Sequence, residues 1–152
     1  MFGEAPTPPA RLAASSTRLF GKLIDMAVVL FVHLLVQVVL DDGIDSTEPG
    51  AAASFLTLAF VVFYEVGMTA TQGGTVGKLV LGMRVVDANG TTPPPVRAAV
   101  MRWVPNVVAV IPIVGAAAAL AMVLASLLWI FTDPARRSIF DRAGQTFVAT
   151  TR

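Results

Sequence analysis

Asp25 lies inside the apolar run from Leu19 to Leu40. A carboxylate there is costly unless a partner or a bound ion compensates it. Arg18 and Lys22 stand seven and three residues before it. At 100° per helical residue the three fall within about 60° of arc, so they share one face. Two readings follow, and the spacing does not choose between them. In one, Arg18 or Lys22 neutralises Asp25 near the helix entrance and the group ties helices together. In the other, Asp25 binds a cation or a proton along a pathway.

Glu65 supplies the second reading with a companion. It is the one charged residue between about Ala52 and Thr69. Two antiparallel helices would bring Glu65 and Asp25 to similar depth, where paired acids share a proton or hold a cation. Pairing of these acids with Arg18, Lys22 or Arg102 is the alternative. His33, the single histidine, falls about 80° from Asp25 around the helix and a turn beyond contact. A packed, hydrogen-bonded neutral imidazole is expected there rather than a proton relay.

Other groups are weaker. Gly73-Gly74-x-x-Gly77-Lys78 lacks the spacing, and the Ser or Thr after Lys, of a nucleotide-binding loop. It reads as a glycine-rich turn feeding a strand. Arg97 and Arg102, beside Trp103, are expected at the lipid headgroup level, with anionic lipid contact open to them. Arg136, Arg137 and Arg142 admit the same reading. No Ser–His–Asp set or metal-ligand cluster stands out, and the chain has no cysteine. No enzymatic activity, cofactor or nucleic-acid partner is therefore expected.

These groups must be held by membrane helices. The chain has 152 residues, 55% of them hydrophobic and 14% charged, where a soluble domain carries about 25% charged residues. The deficit sits in long uncharged runs. Residues 1–10 are proline-rich and read as a disordered cytoplasmic tail. Ser15, Ser16 and Thr17 then supply helix-start chemistry. Full spans are expected over about 19–40 and 52–69, with an acidic loop between them. No cleavage pattern follows the first run, so it reads as a retained span.

The stretch from Val104 to Phe131 has 28 residues, too long for one straight span and short for two. Pro112 to Gly115 marks a break. A helix over about 96–111 and another over about 115–131 would form a short or re-entrant hairpin. Residues Leu79 to Asp87 are rich in branched side chains and read as strand, followed by a turn at Asn89-Gly90. Gln145 to Thr150 has strand composition and could pair with Met83–Asp87. The expected fold is all-α and membrane-integral: a small polytopic helical bundle with a small cytoplasmic β element. Arg11, Arg18 and Lys22 before the first span put the N-terminus inside, and the basic tail places the C-terminus there too.

Taken together, these segments resemble the RDD family of small membrane proteins. That family is named for an Arg at the start of the first span, an Asp within it and a second Asp. Arg18-Leu19-Phe20-Gly21-Lys22-Leu23-Ile24-Asp25 matches the first part. The stretch Gly73-Gly74-Thr75-Val76-Gly77-Lys78-Leu79-Val80-Leu81-Gly82-Met83-Arg84-Val85-Val86-Asp87 is similar to the family's second motif. Phe140-Asp141-Arg142-Ala143-Gly144-Gln145-Thr146 is similar to its last, with Gln145 inserted before the Thr. Asp141 is taken as the second family Asp and Asp87 as the alternative. The resemblance covers residues 11–152 and implies transport of some ligand.

The reading that results is a multi-pass cell-membrane protein that moves a cation or proton, or belongs to a system that does. Asp25 and Glu65 would form its ionisable centre, and Arg18 the counter-charge that sets their proton affinity. Asp141 would fix the tail by pairing with a nearby Arg. Besides the bilayer, a second copy or a partner membrane protein is expected. The alternative is a non-transporting scaffold that docks a partner.

Overall fold

A computed structural model of the chain describes residues 11–40, 50–110 and 115–151. The expected N-terminal tail, the acidic loop over 41–49 and most of the Pro112 break lie outside the described residues.

Helix α1 runs Ser15–Leu40, 26 residues, and its only buried members are Gly21 and Asp25. Its large apolar side chains face outward: Leu30 is 56% exposed and Phe31 68%. A water-soluble helix buries its apolar stripe and exposes its charges; α1 exposes its apolar side chains and buries Asp25. A second helical column spans Ala51–Gln72, 22 residues. It comprises α2 (Ala51–Val62), one π-helical turn (Phe63–Gly67) and α3 (Met68–Gln72). Both columns are long and apolar enough to cross a membrane.

Gly73, at φ 74°, ends α3 in the left-handed conformation, where glycine carries no Cβ penalty. The chain then makes a short helix, α4 (Val76–Val80), before strand β1 (Met83–Asp87). The expected strand from Leu79 thus begins at Met83. The reason is close contact: a Cβ on Gly77 would lie 2.0 Å from the Gly21 carbonyl oxygen. The helical turn of α4 presses its glycine directly against the backbone of α1, an approach an extended strand of branched residues could not make.

β1 pairs antiparallel with β2 (Thr146–Thr150), Met83 opposite Thr150 and Asp87 opposite Thr146. The sheet expected from composition therefore forms. The chain just before α1 lies beside it, with Ala13 N–H donating to Val148 O at 2.9 Å. Ala13, Met83, Val85 and Val148 pack together as a buried cluster. At the Asn89-Gly90 turn, Asp87 accepts from the Asn89 and Thr91 amides at 2.9 and 2.8 Å, and Gly90 takes φ 80°. Asp87 is thereby a turn-forming acceptor.

Between the strands, α5 (Val96–Trp103) continues as a 3-10 segment over Val104–Val110. Pro105 has no N–H to donate to a helical ladder, which suits the tighter turn. Helix α6 covers Gly115–Thr132, and α7 covers Ile139–Ala143. The expected single helix over 96–111 is thus α-helical in its first half only.

Candidate functional site

Three ion-paired centres lie along one face of α1, each at a different level. The deepest belongs to Asp25, 2% exposed. Its Oδ1 accepts from the Tyr64 hydroxyl at 2.7 Å and the Gly77 amide at 2.8 Å. Its Oδ2 accepts from the Thr75 hydroxyl at 2.6 Å and Lys78 Nζ at 3.4 Å. Lys78 also donates to Thr75 at 2.8 Å, and Tyr64 accepts from the Val76 amide at 3.2 Å. A carboxylate offers about four lone-pair sites, and four donors converge on this one. The Gly21–Gly77 contact makes this possible, because only bare backbone lets the α4 amide reach the carboxylate. The π-helical turn carries Tyr64, whose ring stacks on Phe60 at 5.6 Å.

The outermost centre belongs to Asp141, fully buried. Arg18 and Arg102 each donate to it, one per carboxylate oxygen. The Ser138 amide and hydroxyl also donate to Oδ2, both at 2.9 Å, within the capping box that starts α7. Arg18 reaches the Arg136 carbonyl too, and Arg102 donates to the Thr146 hydroxyl at 2.6 Å. Gly144 permits the approach of α5: a Cβ there would lie 2.3 Å from Arg102 Cγ. Burial alone would raise the Asp141 pKa, but the guanidiniums of Arg102 and Arg18 overcome it and hold the carboxyl well below the usual carboxylate range.

Between these two levels, Lys22 donates to Glu65 at 2.9 Å, with side chains 55% and 25% exposed. This pair lines two cavities. One, of about 360 Å³, runs between α1 and α2 past Asp25 and Val29 to His33 and Thr57. The other, of about 220 Å³, lies among α1, α5 and α6 and is bordered by Arg18, Lys22, Glu65 and Arg102. His33 Nδ1 lies 3.2 Å from the Thr57 hydroxyl and Nε2 lies 2.9 Å from the Gln37 amide.

The shared face of Arg18, Lys22 and Asp25 is therefore present, but the three do not pair with one another. Arg18 goes to Asp141, Lys22 to Glu65 and Asp25 to Lys78. Arg18 is not the counter-charge of Asp25, because a cation on a neighbouring element stands at Asp25's own depth. Arg102 gives one guanidinium nitrogen to the buried Asp141. In the tail, Arg137 and Arg142 pair with Asp133 at 3.5 and 3.6 Å, and Arg142 lies over the Trp129 ring. The partners of Asp25 are the residues that sequence reasoning missed. Tyr64 is the chain's single tyrosine, and a polar tip in an apolar run was the available signal. Among the described residues no group of His, Asp or Glu is arranged to hold a metal ion.

Two membrane-capable helical columns, tied by buried carboxylates to the short helices α4, α5 and α7, define a small, mostly helical protein of membrane type. The chain belongs to the RDD family, whose family model matches residues 12–145. No curated protein and no solved structure matches it.

Proposed function

We propose that this RDD-family chain is a multi-pass protein of the cell membrane, with both termini cytoplasmic, that moves protons or cations through Glu65. The exposed apolar faces of α1 and α2 support the membrane placement, since hydrocarbon accepts them at no cost. Arg11 before α1, with Arg18 and Lys22 in its first two turns, supports the orientation. The observation that carries the transport reading is the Lys22–Glu65 pair, which borders both cavities and has partly accessible side chains on each partner.

Exchange at this pair is cheap. A partly exposed ion pair contributes about 0–1 kcal/mol, so a proton or cation can displace the Lys22 ammonium from Glu65. Lys22 has a flexible stem and can swing toward the headgroups. Breaking a buried pair costs about 3–5 kcal/mol, which reserves Asp25 and Asp141 for holding the helices. The chain then supplies a charge relay rather than bond chemistry, and a second copy or a partner membrane protein completes the bundle.

The test is cation-dependent proton flux in proteoliposomes, wild type beside Glu65→Gln. Flux in the wild type that disappears in the folded variant supports the reading. Wild-type flux no greater than that of empty liposomes, across Na⁺, K⁺ and a range of pH, discards it in favour of a scaffold that docks a partner.

A further inference from the structure

We infer that the cavity among α1, α5 and α6 is a lateral binding site for an anionic phospholipid. Its phosphate sits against Lys22 and Arg102, and an acyl chain lies along Leu23, Met26 and Val123. This inference rests on the membrane placement proposed above, and not on ion movement.

Charge is the first argument. Arg18, Lys22, Lys78 and Arg102 all border the cavity. The acids they pair with are Asp141, Glu65 and Asp25. Two cations share Asp141, so the cluster carries one positive charge in excess. Among the described residues Arg102 spends only Nη1, on Asp141 and Thr146. Guanidinium has five N–H donors, which leaves others for an incoming anion.

Unpartnered donors are the second argument. Trp103 Nε1 and Ser126 Oγ are buried and make no hydrogen bond among the described residues. Both side chains border the cavity, and Ser126 is 6% exposed. An indole N–H can only donate. Buried donors of this kind call for an acceptor that the protein does not provide, and phosphate and ester oxygens provide it.

Shape is the third. The Ser15 hydroxyl donates to the Ile130 carbonyl at 2.9 Å, which sets the start of α1 against the end of α6. Val123 stands two turns back along α6, about 10 Å away. The cavity thus passes from a cationic end to an apolar one, where Leu23, Met26 and Val123 are each at least half exposed. A cavity of about 150 Å³ accepts benzene. At about 220 Å³, this one holds a phosphate and the first carbons of a chain whose remainder lies on the exposed face.

Trp103 itself reports occupancy. The full chain carrying Trp129→Phe leaves Trp103 as its only indole, and Trp103→Phe leaves Trp129. Each is reconstituted in phosphatidylcholine vesicles containing phosphatidylglycerol, with bromines on the acyl chains of one lipid or the other. Trp103 should be quenched by brominated phosphatidylglycerol about fivefold beyond its share of the bilayer, the effect of one cation near an anionic headgroup. Ser126→Leu, which fills the cavity, should abolish this preference, and Lys22→Gln should reduce it severalfold. Trp129 should be quenched by both lipids, and any preference that Arg142 beside it confers should be unchanged by Ser126→Leu and Lys22→Gln. Trp103 quenched without preference, or shielded from both lipids while Trp129 is quenched, overturns the site; shielding marks a cavity filled by protein. If Trp129 is quenched by neither lipid, the membrane placement fails and the site falls with it.

Discussion

Asp25 and Glu65 are both acids in apolar helices, and their surroundings are opposite. Asp25 receives a tyrosine, a threonine, a backbone amide and a lysine, and is almost fully buried. Glu65 receives one lysine and opens on two cavities. Asp141 belongs with Asp25: it is closed off by two arginines and a capping serine. The difference teaches that an acid in a membrane helix is not by that fact a transport site. A carboxylate with every lone pair engaged fixes geometry, and one with a single accessible partner can exchange it.

The sharpest way to break this comparison is at Asp141. Asp141→Asn leaves Arg18 and Arg102 buried without a counter-charge, which should cost about 3–5 kcal/mol. Loss of folded protein from membranes, or a strong fall in unfolding temperature in detergent, is the expected result. A smaller loss follows at the helix crossing. Gly77→Ala drives a Cβ into the Gly21 carbonyl at 2.0 Å, backbone against backbone, and should destabilise by about 1–3 kcal/mol. Gly21→Ala meets the flexible end of Met83 at 2.7 Å and should cost less. Thermal unfolding of the two variants side by side checks the order.

Acid sharpens the same contrast. The Asp141 carboxyl is held below its unfolded value, so its contribution is complete above the ordinary carboxylate pKa of about 3.9, declines as pH falls below that value, and is gone below the lower folded one. Unfolding followed from pH 7 downward should show this contribution unchanged to about pH 5 and declining progressively below it. The smallest effect on stability is expected at the open pair. Glu65→Gln and Lys22→Gln should each shift unfolding by about 0–1 kcal/mol, measured in the same assay.

Much of this was legible in the residues. Composition showed the two long helices, and the motif residues showed the family. Strand composition matched Gln145–Thr150 to Met83–Asp87, within one residue of the pairing found. Pairing among the charges was not legible. Helical spacing places Arg18, Lys22 and Asp25 on one face, but it is silent on what stands opposite at each level. Those partners come from residues up to 123 positions away, as with Arg18 and Asp141. Likewise Leu79 and Val80, read as the start of a strand, fold into the helical turn of α4, because contact of Gly77 with Gly21 outweighs a weak local preference.

The most direct test of the distinction is flux per folded molecule for Glu65→Gln and Asp25→Asn, measured in the same proteoliposomes with unfolding curves for each. Glu65→Gln should fold like the wild type and carry no flux. Asp25→Asn, which leaves Lys78 without its carboxylate, should be destabilised by about 3–5 kcal/mol, while the fraction that folds still conducts. Full flux through Glu65→Gln, with none through well-folded Asp25→Asn, would contradict it and return the exchange site to Asp25.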